Sequence, residues 1–256
     1  MKTTSLTHKP QSIYPANILT TLANFATNLI PRHCLFCLEK THSHSDLCHQ
    51  CVDALSLNHS CCQRCASPME QVSDFDIKLC GNCLSHHFYY DKVYSPYLYS
   101  EDIRYLITKF KYQKKIHYAS VLAELFIQKS SHIKDFQLPE VIIPMPMHNK
   151  RLRKRGFNQA LEISRFFASW YQLPLDYNSF IRSRYTNLQA GLVAAERQKN
   201  IHQAFSVKES IKKYKHIALI DDVMTTGSTA NEAAKVLKQK GVAQVDVWTI
   251  ARAGLN

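Results

Sequence analysis

Ile217-Ala218-Leu219-Ile220-Asp221-Asp222-Val223-Met224-Thr225-Thr226-Gly227-Ser228-Thr229 decides the fold. Its four leading apolar residues read as a strand buried on both faces, as in a parallel sheet. The segment Ala230 to Lys240 reads as a helix ending at Gly241. Strand, hydroxyl-rich loop and helix in that order predict a ligand at the carboxyl end of the strand, where free amides and the helix N-terminus point outward. Asp221 and Asp222 can accept hydrogen bonds from a diol and organise a hydrated cation. Thr225, Thr226, Gly227, Ser228 and Thr229 can wrap a phosphate, with Gly227 allowing close backbone approach. No GK[ST] follows and no GxGxxG occurs, so neither the P-loop nor the dinucleotide fingerprint applies.

Upstream, Val141-Ile142-Ile143-Pro144-Met145-Pro146 reads as a second buried strand, and Ala160 to Tyr171 as a helix. Between them lies a basic run read as a loop, with Lys150, Arg151, Arg153, Lys154 and Arg155. A loop after a parallel strand faces the same crevice, where these cations would meet pyrophosphate or nucleic acid phosphates. The segment from Arg182 through Arg184, Thr186, Gln189 and Arg197 is polar and basic, as a flap over a site would be, although a surface excursion fits its composition equally.

Nine cysteines fall between positions 34 and 83, and eight form CxxC pairs: Cys34/Cys37, Cys48/Cys51, Cys62/Cys65 and Cys80/Cys83. Each CxxC turn presents two thiolates to one tetrahedral ion, so four pairs predict two closed, structural zinc sites. Sequential pairing is simplest; interleaving and the histidines His33, His49, His59, His86 and His87 remain as alternatives. Cys61 is left as a spare thiol.

The net charge of +12 is unevenly spread: residues 1–90 hold 6 Lys+Arg against 6 Asp+Glu, and residues 91–256 hold 26 against 14. The basic part therefore suits an anionic partner, a polyphosphorylated small molecule or a nucleic acid. No run of about 18 apolar residues occurs, so no membrane span is expected. Ile13 to Ile30 reads as an amphipathic helix interrupted by Thr and Asn, without the apolar centre of a signal peptide, which predicts a cytoplasmic protein with peripheral membrane association left open. The expected organisation is an N-terminal helix over 1–33, a double zinc ribbon over 34–88 and an α/β domain over 89–256, the last a parallel sheet with flanking helices.

The DD-x-x-TTGST string resembles the phosphoribosyl pyrophosphate (PRPP) motif of type I phosphoribosyltransferases, in which paired acids hold the ribose hydroxyls and the Thr/Gly loop the 5-phosphate. The ribbons, Ile103 to Tyr112, Arg155-Gly156-Phe157-Asn158-Gln159, the Thr186/Gln189/Arg197/Asn200 pattern and the PRPP motif together resemble the ComF family of competence proteins. The resemblance runs from Cys34 to the C-terminus, with a doubled cysteine set relative to simpler members. It implies a phosphoribosyltransferase-type fold, PRPP with magnesium at Asp221 to Thr229, and a role in natural transformation beside DNA-uptake or DNA-processing proteins. Single-stranded DNA would then lie on Lys109, Lys111, Lys114, Lys115 and Lys150 to Arg155, with Tyr105, Tyr112 and Tyr118 offered for base stacking. The competing expectation is a salvage transferase, in which Asp221 and Asp222 are catalytic, positioning the ribose as positive charge develops at its anomeric carbon.

Overall fold

A computed structural model describes residues 32–41, 45–70, 79–112, 116–133, 135–184 and 204–254. The expected N-terminal helix, Lys114, Lys115, Thr186, Gln189, Arg197 and Asn200 lie outside the described residues. The chain forms two compact units, Met1–Cys51 and Val52–Asn256.

In the first unit, β1 (Arg32–His33) pairs antiparallel with β2 (Lys40–Thr41). The turn between them is a metal knuckle: Leu38 takes a positive φ of 63° and donates its amide to Cys34 O at 3.0 Å, while Cys34 N donates to Glu39 O at 2.8 Å. Helix α1 (His49–Asp53) begins directly after Cys48. The second ribbon repeats the plan. Ala66, at φ 53°, donates to Cys62 O at 2.9 Å, Cys62 N donates to Ser67 O at 2.8 Å, and helix α2 (Gly81–Ser85) begins directly after Cys80. In both knuckles the left-handed residue follows the second cysteine, which turns the chain back so that both thiols face one point.

In the second unit a parallel sheet runs in the order β3–β9–β8–β5, from β3 (Lys92–Tyr94), β9 (Gln244–Arg252), β8 (His216–Met224) and β5 (Val141–Pro144). β4 (Tyr97–Leu98) continues the β3 edge along β9 after a break at Ser95-Pro96. Proline lacks a donor, which confines it to such an edge. The segment before the second ribbon covers this edge, with Leu98 N donating to Ser56 O at 2.9 Å and Asn58 N to Pro96 O at 2.8 Å.

Alternation along β8 and β9 sends side chains to two cores. One side gathers Ile217, Leu219, Val245 and Val247 with Ala233, Ala234 and Leu237 of α7 (Ser228–Gln239) and with Cys62, Cys65 and Cys83. The second ribbon thus shares a hydrophobic core with the sheet. On the other side Trp248 meets Phe126 at 5.5 Å and Phe167 at 5.8 Å between ring centroids. These rings come from α4 (Tyr118–Ser130) and α6 (Gln159–Tyr171); α3 (Glu101–Tyr112) packs on α4. A hairpin, β6 (Phe180–Arg182) with β7 (Phe205–Val207), forms the base of the expected flap segment.

One sequence expectation changes. The basic run is helix α5 (Asn149–Arg155), not a loop. His148 caps it by accepting from Lys150 N, Gly156 ends it at φ 91°, and Lys and Arg are good helix formers whose charge in the last turn suits the helix dipole.

Candidate functional site

β5 and β8 are adjacent and parallel, with Pro144 beside Ile220, and Met145 N donates to Ile220 O at 2.8 Å. Their carboxyl ends therefore open on one crevice, and the sequence-predicted acids, hydroxyl loop and basic segment all leave the sheet there. A small open pocket of about 50 Å³ is lined by Asp221, Val223 and every residue from Met224 to Ala230, with Val247 and Thr249 beneath. That volume holds about three or four water-sized groups, the scale of a phosphoryl head and too small for a base. Gly227, at φ 78°, precedes α7 without a side-chain cap, leaving first-turn amides directed at the pocket. A Cβ at Gly227 would collide with Met224 Cε and come within 3.5 Å of Tyr90 Oη.

The adjacent carboxylates do not share one environment. Asp221 lines the pocket, whereas Asp222, 7% exposed, forms an ion pair with Lys111 of α3, with Nζ to Oδ2 at 2.5 Å. Consecutive strand residues point to opposite faces, which accounts for the split. Burial, reinforced by the Asp222 charge, raises the Asp221 carboxyl to about 7. Burial opposes the charge of Lys111, but Asp222 and then Asp221 hold its ammonium above the ordinary lysine value. Lys111 is therefore part of this site rather than of an outer basic surface. Tyr118 is also withdrawn from the expected stacking set, since it is 3% exposed. Tyr112 and Tyr105 remain exposed, with Arg155 of α5 5.8 Å over the Tyr112 ring and Lys109 5.1 Å over Tyr105.

Within the basic helix, Lys150, Arg153 and Lys154 are exposed while Arg151 and Arg155 are half-buried. Arg155 donates to Gln159 Oε1 at 2.8 Å, Phe157 packs on Phe110 at 5.2 Å, and Asn158 caps α6 while donating to Met145 O at 3.1 Å. The Arg155 to Gln159 string is thus the joint that fixes α5 and α6 to the end of β5. Arg182, at the end of β6, is half-buried, and its partial desolvation lowers its pKa; Arg151 lowers it further and Asp221 opposes them, so both groups act on this arginine. Arg184 is exposed beyond it.

Sequence reading passed over Tyr90, Asn231 and Arg252 at this site and used Arg182 only as the start of the flap segment. Arg252 offered a signal: it is a cation closing the largely apolar stretch Val247-Trp248-Thr249-Ile250-Ala251, and it is 1% exposed.

The cysteines resolve into two groups, Cys34/Cys37/Cys48/Cys51 and Cys62/Cys65/Cys80/Cys83, each with all sulfurs within 4.8 Å of one another. Pairing is sequential, and neither group includes Cys61 or a histidine among the described residues. The Cys65 thiol and the amides of Cys65, Cys80 and Arg64 outweigh burial and bring Cys62 down to about 4, so a thiolate is ready for a cation. Two groups of four sulfurs at this spacing, with the knuckle amides behind them, fit two structural zinc ions, one in each group.

A double zinc ribbon domain matches residues 25–84. Competence protein F of Haemophilus influenzae is 34% identical over 232 residues, 88% of this chain and 99% of that protein. The chain belongs to the competence protein F family. DNA utilization protein YhgH of Salmonella typhimurium is similar at 30% identity, over 87% of this chain and 98% of the relative. Competence protein ComFC of Bacillus subtilis is similar at 25% over 86% of the chain and 94% of the relative. Among solved structures, a glutamine PRPP amidotransferase from B. subtilis complexed with ADP and GMP matches 56% of this chain at 14% identity and a TM-score of 0.37. The match spans 30% of that longer enzyme, a likeness too slight to bear on activity. No helix among the described residues is long and apolar enough to cross a membrane.

Proposed function

We propose that this protein binds magnesium-PRPP at the crevice above β5 and β8 and serves the handling of incoming single-stranded DNA in natural transformation. The observation that carries the reading is the pocket where Asp221 meets the Thr225–Thr229 loop at the start of α7. In it the loop amides and hydroxyls take the 5-phosphate and Asp221 faces the ribose diol, while Asp222, turned to the other face and paired with Lys111, acts on Asp221 through its charge. Magnesium, when bound, would neutralise the pyrophosphate and favour Asp221 as a carboxylate. Arg182 and the α5 cations stand on the pyrophosphate side of the crevice. The names carried by the relatives, competence and DNA utilization, support the DNA role. So does the strip of exposed Tyr105 and Tyr112 with half-buried Lys109 and Arg155, where cations lie over aromatic rings as a sequence-tolerant single-strand surface needs.

The test is an Asp221→Ala/Asp222→Ala strain scored for transformation and for growth on salvaged nucleobases. Loss of transformation alone supports the reading; loss of salvage alone replaces it with the transferase reading. Pyrophosphate release from PRPP, magnesium and a panel of nucleobases then separates turnover from ligand sensing. DNA binding must weaken with added salt, and binding indifferent to salt removes the DNA surface from the account.

A further inference from the structure

Arg252 is a fully buried guanidinium at the end of β9, and no carboxylate pairs with it among the described residues. Its Nη1 donates to Met224 O at 3.1 Å, to Ala253 O at 2.8 Å and to Thr225 O, while its Nε donates to Cys65 O at 2.9 Å. One side chain thus joins the start of the phosphate loop to the second cysteine of a metal knuckle. A charge buried this deeply is costly unless countered. Carbonyl dipoles supply part of the compensation, and zinc held by four thiolates would leave two net negative charges on the knuckle whose Cys65 carbonyl Arg252 bonds.

A second connection runs in parallel. Arg64, inside the same knuckle, donates to Phe88 O at 2.8 Å and its carbonyl accepts from Val93 N at 2.9 Å, fixing the strand that leaves the ribbon. In the irregular segment just before β3, Tyr89 N donates to Asn231 Oδ1 at 2.7 Å in the first turn of α7, and the buried Tyr90 hydroxyl backs Gly227. The phosphate loop is therefore gripped at its start through Arg252 and at its end through Asn231, and both grips trace to the Cys62–Cys65 knuckle.

We infer that the second zinc ribbon is a working part of the phosphate site, with Arg252 the positioning residue that lets metal occupancy at Cys62/Cys65/Cys80/Cys83 set the shape of the Met224–Gly227 turn. The inference rests on the ligand reading above. Because coupling between two binding sites is reciprocal, a ligand on the loop must tighten the hold on this zinc.

The experiment uses the full-length, zinc-loaded protein with ribose 5-phosphate, which needs the loop and diol site only, and inorganic pyrophosphate as the second probe. A chromogenic chelator follows zinc release. Saturating ribose 5-phosphate slows release of one of two zinc equivalents at least tenfold, and pyrophosphate leaves it unchanged. In Arg252→Lys, which keeps the charge but cannot reach both carbonyl groups at once, ribose 5-phosphate binding weakens at least tenfold at a temperature well below melting, and its effect on zinc release disappears. General destabilisation would lower the melting point without altering affinity in the folded protein, so the affinity separates positioning from mere support. If Arg252→Lys fails to fold, the zinc-release measurement on the wild type decides by itself. Wild-type binding of ribose 5-phosphate with unchanged zinc release, or with a variant of equal affinity, overturns the coupling and leaves the ligand reading intact. A wild type that binds no ribose 5-phosphate overturns both.

Discussion

Replacing Lys111 by Met removes the cation from Asp222 while keeping the length of the side chain. The wild-type pair is close, 2.5 Å, with side chains 23% and 10% exposed, and Asp221 stands beside it on the strand. Removing one member of a buried pair costs about 3–5 kcal/mol, and the partial exposure of Lys111 places the loss near the lower end, about 3 kcal/mol at pH 7.5. Urea denaturation of wild type and Lys111→Met at pH 7.5 measures it, and Lys111→Met/Asp222→Asn should recover to within about 1 kcal/mol of the wild type. An unchanged midpoint in Lys111→Met, or a loss with no rescue by Asp222→Asn, refutes the pairing as the reason Lys111 is there.

Gly227→Ala forces a side chain into a left-handed backbone and against Met224, so stability should fall by about 2 kcal/mol and ribose 5-phosphate binding should vanish in calorimetry; normal binding would show the loop does not hold the phosphate. The raised Asp221 carboxyl makes two pH predictions of opposite sign. The folded state holds a proton that the unfolded chain releases near pH 4, so this group's contribution to stability falls as pH climbs from about 4 to about 7. Ligand affinity instead rises through the same upper range, because the diol and the cation need the carboxylate. The ligand phosphate also ionises near about pH 6, so only the part of the affinity profile absent from Asp221→Asn belongs to Asp221. Cys83→Ser, 5% exposed in the core shared with the sheet, should lose one of two zinc ions and at least about 3 kcal/mol by metal analysis and denaturation; an unchanged midpoint would mean the second ribbon does not support the sheet.

Local residue types made much of this legible. The apolar runs at Ile217 and Val141 could only be buried strands, and they are register neighbours. The CxxC pairs announced two four-sulfur groups, and of the pairings they left open the structure takes the sequential one. The basic run was harder to read, because charge alone does not separate a loop from a short helix; its caps, His148 and Gly156, were present but unremarked. Least visible were contacts between distant positions. Arg252 reaches Cys65 across 187 residues, Asn231 reaches Tyr89 across 142, and Lys111 finds Asp222 from another layer. Such pairings follow from how α3, the ribbon and β9 converge on the crevice, and no local periodicity encodes them. The same convergence took Tyr118 into the core.

Titrating magnesium-PRPP into full-length zinc-loaded protein in a calorimeter, beside Asp221→Asn/Asp222→Asn, measures the proposed site itself. Saturable one-to-one binding to the wild type is expected, dependent on magnesium and at least tenfold weaker in the folded double variant. Absence of binding to the wild type, or equal binding to the variant, would mean that this crevice is not a PRPP site.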